Sequence, residues 1–405
     1  MKILWFINTP ALAGEVLNSK STSGGWLEEL NRYIQNKVDL YVAFHINKKI
    51  EPFKFEKTTY IPIYVKHNKI DSIKNLFYLK VLNDEYHSSY VSIINKYNPD
   101  IIHIHGTENS FGSIVGVVKQ PVVVSIQGIV SIIYEHLINY KIEGFIPYSY
   151  KKILSKFKRM SKIEKETLNN VKYIISKSNW SSDIMKVLAP EAKVFFINNM
   201  LRQSFYNKKW EQKLDSNKEL IITTTLSNSY LKGFDVISKT ALLLKNLNYK
   251  FKWNVIGVDE TSSAVKYVKK IMKSEFPKDD IYILGRKSEK EVVEYLLKTS
   301  IYVMTSRIEN SPNNLNEALI LGIPSIAASS GGTNSFIVDG EDGILVQSGD
   351  YYATAGAIIN LFNNSDLAKK IGKIAREKAM DRHCINKVCN DTYKVYEYIN
   401  QSNKI

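Results

Sequence analysis

The chain reads as an α/β protein built from two Rossmann-like, doubly wound domains. Three observations predict this: the length of 405 residues, an alternation of strand-length apolar runs with helical patterns, and one lapse of that alternation near the middle. A single core seldom serves more than about 300 residues, so two domains of roughly 200 follow from length alone. At 44% hydrophobic residues, each half has enough apolar surface for its own core.

In the first half the candidate strands are KILWFIN (2–8), DLYVAFHI (39–46), TTYIPIYV (58–65), DIIHIHG (100–106), PVVVSIQG (121–128), KYIISKS (172–178) and KVFFINN (193–199). Helical stretches between them predict a parallel sheet with helices on both faces. The opening MKILWFINTPALAG imitates a signal peptide, but its apolar part ends at Ile7, short of the roughly 7 to 15 residues a secretory core needs. A first strand is expected instead. From Met200 to Lys218 the pattern lapses into polar residues, which predicts a linker and domains over 1–200 and 201–385. The alternation then restarts with ELIITTT (219–225), FKWNVIG (251–257), DIYILGR (280–286), IYVMTS (301–306) and PSIAAS (324–329), with a helix over 234–245. A last helix, within 386–405, completes the chain. Neither half has a full Gly-x-Gly-x-x-Gly after its first strand, which disfavours two ordinary dinucleotide folds.

The formal net charge of +15 calls for an anionic partner: nucleic acid, an acidic membrane or a phosphate-bearing substrate. Segment 151–172 mixes Lys151, Lys152, Lys156, Lys158, Arg159 and Lys162 with Ile153, Leu154, Phe157 and Met160. Segment 66–80 sets Phe77 and Tyr78 among Lys66, Lys69, Lys74 and Lys80. Either could lie on an anionic bilayer, or be a solvated helix face over a core. No nucleic-acid-binding motif is visible, so nucleic acid is not an expected partner. No apolar run approaches the roughly 18 residues of a membrane span. Cys384 and Cys389 suit neither a disulfide nor a zinc knuckle and are expected to be packing residues in a reducing, cytoplasmic setting.

The most informative segment is ENSPNNLNEALILGIP (309–324). A strand feeds a polar loop and then a helix, with Asn310 and Ser311 as candidate caps, Pro312 near the first turn, and Gly322 and Pro324 at its close. Such a helix start offers backbone N–H groups to a diphosphate, here those of Asn313, Asn314 and Leu315. Glu317 stands one turn behind them, where a carboxylate can accept both hydroxyls of a ribose. Glu309 stays in the loop, free to meet a sugar. The plain alternative is that both are solvated charges favoured by the helix dipole.

This stretch resembles the Glu-x7-Glu signature of glycosyltransferase family 4, retaining enzymes of the GT-B fold, and SGGTNSFIVDGEDGILV (330–346) is similar to the family's next block. The resemblance implies two domains facing each other across a cleft, the last helix crossing back to the first domain. It also implies transfer from a nucleoside-diphosphate sugar to a glycan or lipid-linked acceptor, in bacterial capsule, O-antigen or exopolysaccharide assembly. Such an enzyme would be cytoplasmic and peripheral on the inner face of the membrane. No cofactor is expected, the nucleotide sugar being substrate.

Loss of a nucleoside diphosphate builds charge on the distal phosphate, which a cation must meet. Lys232, in SNSYLKGFDV (227–236), is the candidate, and Lys232-Gly233 looks like the family's Lys-Gly. Relatives usually carry an arginine a few residues earlier, where this chain has Ser227, Asn228 and Ser229; Arg307 or Arg202 would have to compensate. Gly24 and Gly25, before a helical pattern, are similar to the family's glycine loop over the donor. His105 resembles the second His of a His-x-His block, and His103 reads as a core histidine. Gln127 replaces a histidine that many members place at the end of the next strand; glutamine can donate to an oxyanion but cannot shuttle a proton. In this family the leaving phosphate is thought to deprotonate the acceptor, so that loss is tolerable. Pro312 stands where relatives commonly have Gly and supplies no N–H. Arg286 lies where relatives cradle the nucleobase. The DGED run (339–342) reads as a polar turn, and with no Asp-x-Asp after a strand a metal-independent reaction is expected. The rivals are a nucleotide-sugar epimerase, a non-catalytic nucleotide-sugar-binding protein, and a basic nucleic-acid binder.

Overall fold

The structure, a computed structural model, describes residues 1–17, 25–65, 81–140, 148–212, 214 and 219–403. Gly24 and the segment 66–80 therefore lie outside the described residues. The chain divides into two compact units, Met1–Met200 with Ile385–Ile405, and Leu201–Cys384.

Unit 1 holds an eight-stranded sheet in the order β3-β4-β2-β1-β5-β6-β7-β8. Its strands are β1 Lys2–Ile7, β2 Asp39–Ile46, β3 Phe53–Phe55, β4 Thr58–Tyr64, β5 Ile101–His105, β6 Val122–Ser125, β7 Tyr173–Ser176 and β8 Lys193–Phe196. β1 shows why it forms: Ile3, Trp5 and Ile7 enter one core cluster while Leu4 and Phe6 enter the other, so both faces are covered. That is the continuous apolar run of a buried parallel strand. The sheet is not wholly parallel, because β3 pairs antiparallel with β4, Phe53 opposite Tyr60. The helix Ile385–Ser402 belongs to this unit. Its Tyr396 phenol accepts from Trp5 Nε1 at 2.9 Å and bonds His103 Nδ1 at 2.7 Å.

Unit 2 holds six parallel strands in the order β11-β10-β9-β12-β13-β14. They are β9 Leu220–Thr225, β10 Phe251–Ile256, β11 Ile281–Ile283, β12 Ile301–Met304, β13 Ser325–Ser329 and β14 Ile344–Gln347. β9 tolerates three threonines in mid-sheet because each is satisfied across the β9–β12 seam. Thr223 bonds Thr299 at 2.6 Å, Thr224 donates to the Val303 carbonyl at 2.6 Å, and Thr225 meets Tyr302 at 2.9 Å. The expected linker is largely part of this core: Leu201, Phe205, Trp210 and Leu214 are buried in it. Trp210 also donates from its backbone to Leu321 and from its ring to Thr299.

Among the parallel strands of each sheet the order reverses once, between β1 and β5 in unit 1 and between β9 and β12 in unit 2. Ligands of open α/β sheets bind at the carboxyl ends of the strands flanking such a reversal.

Candidate active site

In unit 2 both flanking strands end in loops that are stitched to each other. After β9 the chain passes through Ser229, whose hydroxyl accepts from Leu231 N–H, to Lys232 and Gly233. Gly233 has φ +76°, and a Cβ there would sit 2.2 Å from the Thr305 carbonyl, so glycine is required for the approach. Thr305, just past β12, donates to the carbonyls of Lys232 and Gly233 at 3.0 and 3.1 Å. Arg307 N–H donates to the Leu231 carbonyl at 2.7 Å. These bonds bring Lys232 Nζ onto Glu309 Oε1 in an ion pair, with side chains 25% and 12% exposed. Two residues 77 apart in sequence thus form one site.

Glu309 is fixed from behind as well. Its carbonyl accepts from Gly332 N–H at 2.8 Å, and Gly331, φ +55°, would place a Cβ 2.2 Å from that oxygen. Gly331→Ala is expected to destabilise unit 2 by about 1–3 kcal/mol and to lower activity by displacing the Glu309 loop. Urea denaturation beside a transfer assay checks this; a variant unchanged in both refutes the clamp.

The helix Asn313–Leu321 has Pro312 as its N-cap, with no side-chain capping bond. Asn310 and Ser311 therefore do not cap it. Its ladder starts with Asn316 N–H to the Pro312 carbonyl at 3.0 Å, so the amides of Asn313, Asn314 and Leu315 precede the ladder and form the positive end of the helix. The Asn314 side chain donates to the Thr225 carbonyl at 2.7 Å, tying this end to β9. The helix closes at Gly322, φ +86°. Glu317 is buried and gripped by Arg202, Nε to Oε1 and Nη2 to Oε2, both at 2.8 Å. A carboxylate has about four lone-pair sites, so two remain for hydroxyls. The two arginines offered as compensating cations are thus both committed to carboxylates, Arg202 to Glu317 and Arg307 to Asp235 at 2.9 and 2.6 Å. Arg286 does not close β11, which ends at Ile283; it is exposed in the following loop. The DGED run is a turn: Asp342 accepts from Val338 N–H at 2.6 Å, and Asp339 from Leu345 N–H at 2.8 Å.

In unit 1 His103 is a satisfied core residue, its second ring nitrogen on Ser125 at 2.7 Å. His105 is 2% exposed, stacked 3.7 Å from His103 and edge-on to Trp5 at 4.6 Å. Burial holds it well below the usual histidine range and neutral. Gln127 lies two residues past β6, half-buried, its Cγ against Gly106. Gly25 opens the helix Gly25–Ile34. Two features escaped the sequence reading. Lys177 is buried directly after β7, and a cavity of about 160 Å³ is lined by His45, Glu108, Asn109, Lys156, Arg159 and Met160, among others. Burial pushes the Glu108 carboxyl up to about 7.

In the helix Tyr148–Leu168, Lys151, Lys152, Lys156, Lys158 and Lys162 are exposed, Ile153, Leu154 and Phe157 half-buried, and Met160 buried. Met160 is buried and the other three apolar side chains are partly covered, so among these positions the lysines are the most exposed part of this helix.

Residues 206–378 match the family described as Glycosyl transferases group 1. An uncharacterized glycosyltransferase of Methanocaldococcus jannaschii is 26% identical over 45% of this chain and 52% of that protein. The capsular polysaccharide biosynthesis glycosyltransferase CapM of Staphylococcus aureus is 24% identical over 37% of this chain and 39% of that protein. The chain thus spans about half or less of the length of these relatives. Among solved structures, sucrose-phosphate synthase from Thermosynechococcus elongatus superimposes with TM-score 0.77 at 13% identity, covering 99% of each chain. HepE from Anabaena, in complex with UDP and glucose, gives 0.67 at 13%, covering 98% of this chain and 99% of that one. These likenesses show the fold, GT-B, with two Rossmann-like domains.

Proposed function

We propose that this chain, which carries a glycosyl transferases group 1 domain, is a retaining family 4 glycosyltransferase that moves a sugar from a nucleoside-diphosphate sugar to a glycan or lipid-linked acceptor. The observation that carries the reading is the Lys232–Glu309 pair at the strand-order reversal of unit 2, four residues ahead of the first-turn amides of Asn313–Leu321. An ammonium and a helix N-terminus together suit a pyrophosphate. With donor bound, Lys232 shares its three N–H donors between Glu309 and the distal phosphate, countering the charge that grows as the glycosidic bond breaks. Glu309, positioned by Gly331 and Gly332, accepts the sugar's hydroxyls. Glu317, oriented by Arg202, accepts those of the ribose. The leaving phosphate takes the acceptor's proton, and the cationic role falls to Lys232 rather than a metal.

The relative named for capsular polysaccharide biosynthesis supports a setting in bacterial surface-polysaccharide assembly. The exposed lysines of Tyr148–Leu168 support an electrostatic contact with the inner face of an anionic membrane. The adjoining cavity at Lys156 and Arg159 is proposed as the acceptor pocket.

A thermal-shift panel of uridine-, guanosine- and adenosine-diphosphate sugars in chelator tests the donor reading. The true donor at a hundred times its Kd is expected to add about 2.7 kcal/mol to stability, a rise of several degrees. No shift with any of them would remove the reading.

A further inference from the structure

Lys177 follows β7 directly and is 4% exposed. Ser178 beside it caps the helix Asn179–Leu188 by accepting from Ser181 N–H, which fixes the backbone at this point. The Lys177 ammonium lies 5.2 Å from the centre of the Trp26 ring, and among the described residues no carboxylate is within ion-pair distance of it. Burial lowers the amine to about 7, because the charge has lost its water and gained no counterion.

His105 shares the same neighbour, its ring 5.8 Å from that of Trp26. Neither of its ring nitrogens has a hydrogen-bond partner, although the residue is buried. Thr9 Oγ1, just after β1, and Asn198 Oδ1, just after β8, are likewise buried and unpaired. The groups facing Lys177 electrostatically are His103 and His105, both kept neutral first by burial; the charge of Lys177 adds to this for His103, and His103 and then Lys177 add to it for His105.

Folded proteins pair nearly all their buried polar groups, and a buried cation without a partner is costly. Here such groups lie at or just past the carboxyl ends of β1, β5, β7 and β8, and Lys177 shares its Trp26 neighbour with His105, which ends a strand flanking the reversal between β1 and β5, where ligands of this fold class bind. We propose that Lys177 and His105 form an anion-binding site in unit 1, in which Lys177 receives the acidic group, phosphate or carboxylate, of a sugar or polyol and His105 bonds its hydroxyls. The site uses neither Lys232 nor Glu309 and stands apart from the transferase reading.

Calorimetry of the full chain with inorganic sulfate at pH 8, in two buffers of different ionisation enthalpy, tests it. Sulfate brings no exchangeable proton, and a Lys232→Met background removes the cation of unit 2. Sulfate binding is expected to take up close to one proton, as the anion returns the Lys177 amine to its charged form. Lys177→Met is expected to lose at least about tenfold in affinity together with the proton uptake, whereas Lys177→Arg, always charged, binds without uptake. Without ligand, Lys177→Met is expected to melt several degrees higher, since an apolar chain of similar length replaces a desolvated amine. Glucose 6-phosphate should reproduce the proton uptake and uncharged glucose should not. Equal sulfate affinity and proton uptake with Met at position 177, or a lowered melting temperature showing that the amine serves the fold, would overturn the proposal. Loss of sugar transfer in Lys232→Met alone bears only on the transferase reading.

Discussion

Lys232→Met is expected to lower kcat for sugar transfer by about a thousandfold while weakening donor binding far less. The asymmetry follows from when the charge appears. In the bound donor the distal phosphate already shares its charge with the sugar bond and is met in part by the helix amides. As that bond breaks, a further charge localises on the phosphate, and Lys232 is the ammonium that unit 2 holds beside Glu309. Methionine keeps the aliphatic packing but leaves Glu309 without its counterion at 12% side-chain exposure, so stability should also fall, by about 1–3 kcal/mol. Glu309→Gln should lose a comparable part of kcat, since an amide cannot match the carboxylate on sugar hydroxyls or hold the ammonium. Initial rates at saturating donor, with folding checked by circular dichroism, decide the matter. A Lys232→Met enzyme within threefold of wild type would exclude this lysine from the chemistry.

How far the chain was legible depended on the range of the interactions. Strands such as β1 and β2 were readable almost to the residue, because a buried parallel strand is apolar on both faces and announces itself locally. β3 and β14 were not. Phe53–Phe55 has three residues on a sheet edge, and Ile344–Gln347 is a four-residue edge strand, half-exposed, behind a charged turn. Residues 201–214 looked like a linker because their apolar anchors stand singly among charges; what buries Trp210 is its fit against Thr299 and Leu321, about 90 and 110 residues away. In the site the motif from Glu309 to Glu317 was visible, but the pairing of Lys232 with Glu309 was not, since strand order determines it. Gly331 and Gly332 stood in plain view within SGG, yet their reason, close approach to the Glu309 carbonyl, is a property of two loops meeting. Lys177 carried a weaker signal still, a lone lysine between two serines at the end of a strand.

The same long-range logic makes Arg202 the other position of large effect. Its guanidinium holds both oxygens of Glu317 at 2.8 Å across 115 residues of sequence, with side chains 23% and 10% exposed, and it also lies over the Phe205 ring. Arg202→Met is expected to destabilise unit 2 by about 3–5 kcal/mol, because a carboxylate remains buried with nothing to neutralise it. Arg202→Lys should recover only part of that, since a point charge cannot reproduce two parallel bonds. In Arg202→Met/Glu317→Gln the stranded charge is gone, so the double variant should be more stable than Arg202→Met alone, a coupling of about 2 kcal/mol. Binding should respond differently: Glu317→Gln should weaken the donor by about tenfold or more through the ribose, and the double variant should not recover it, because the lost contact is with ligand. Urea denaturation followed through Trp210 and Trp253, both in unit 2, reads the stability arm, and donor titration reads the other. Additive stabilities would show that Arg202 and Glu317 merely lie side by side, whereas stability rescue without binding rescue would separate the arginine's work in the fold from the glutamate's work on the nucleotide.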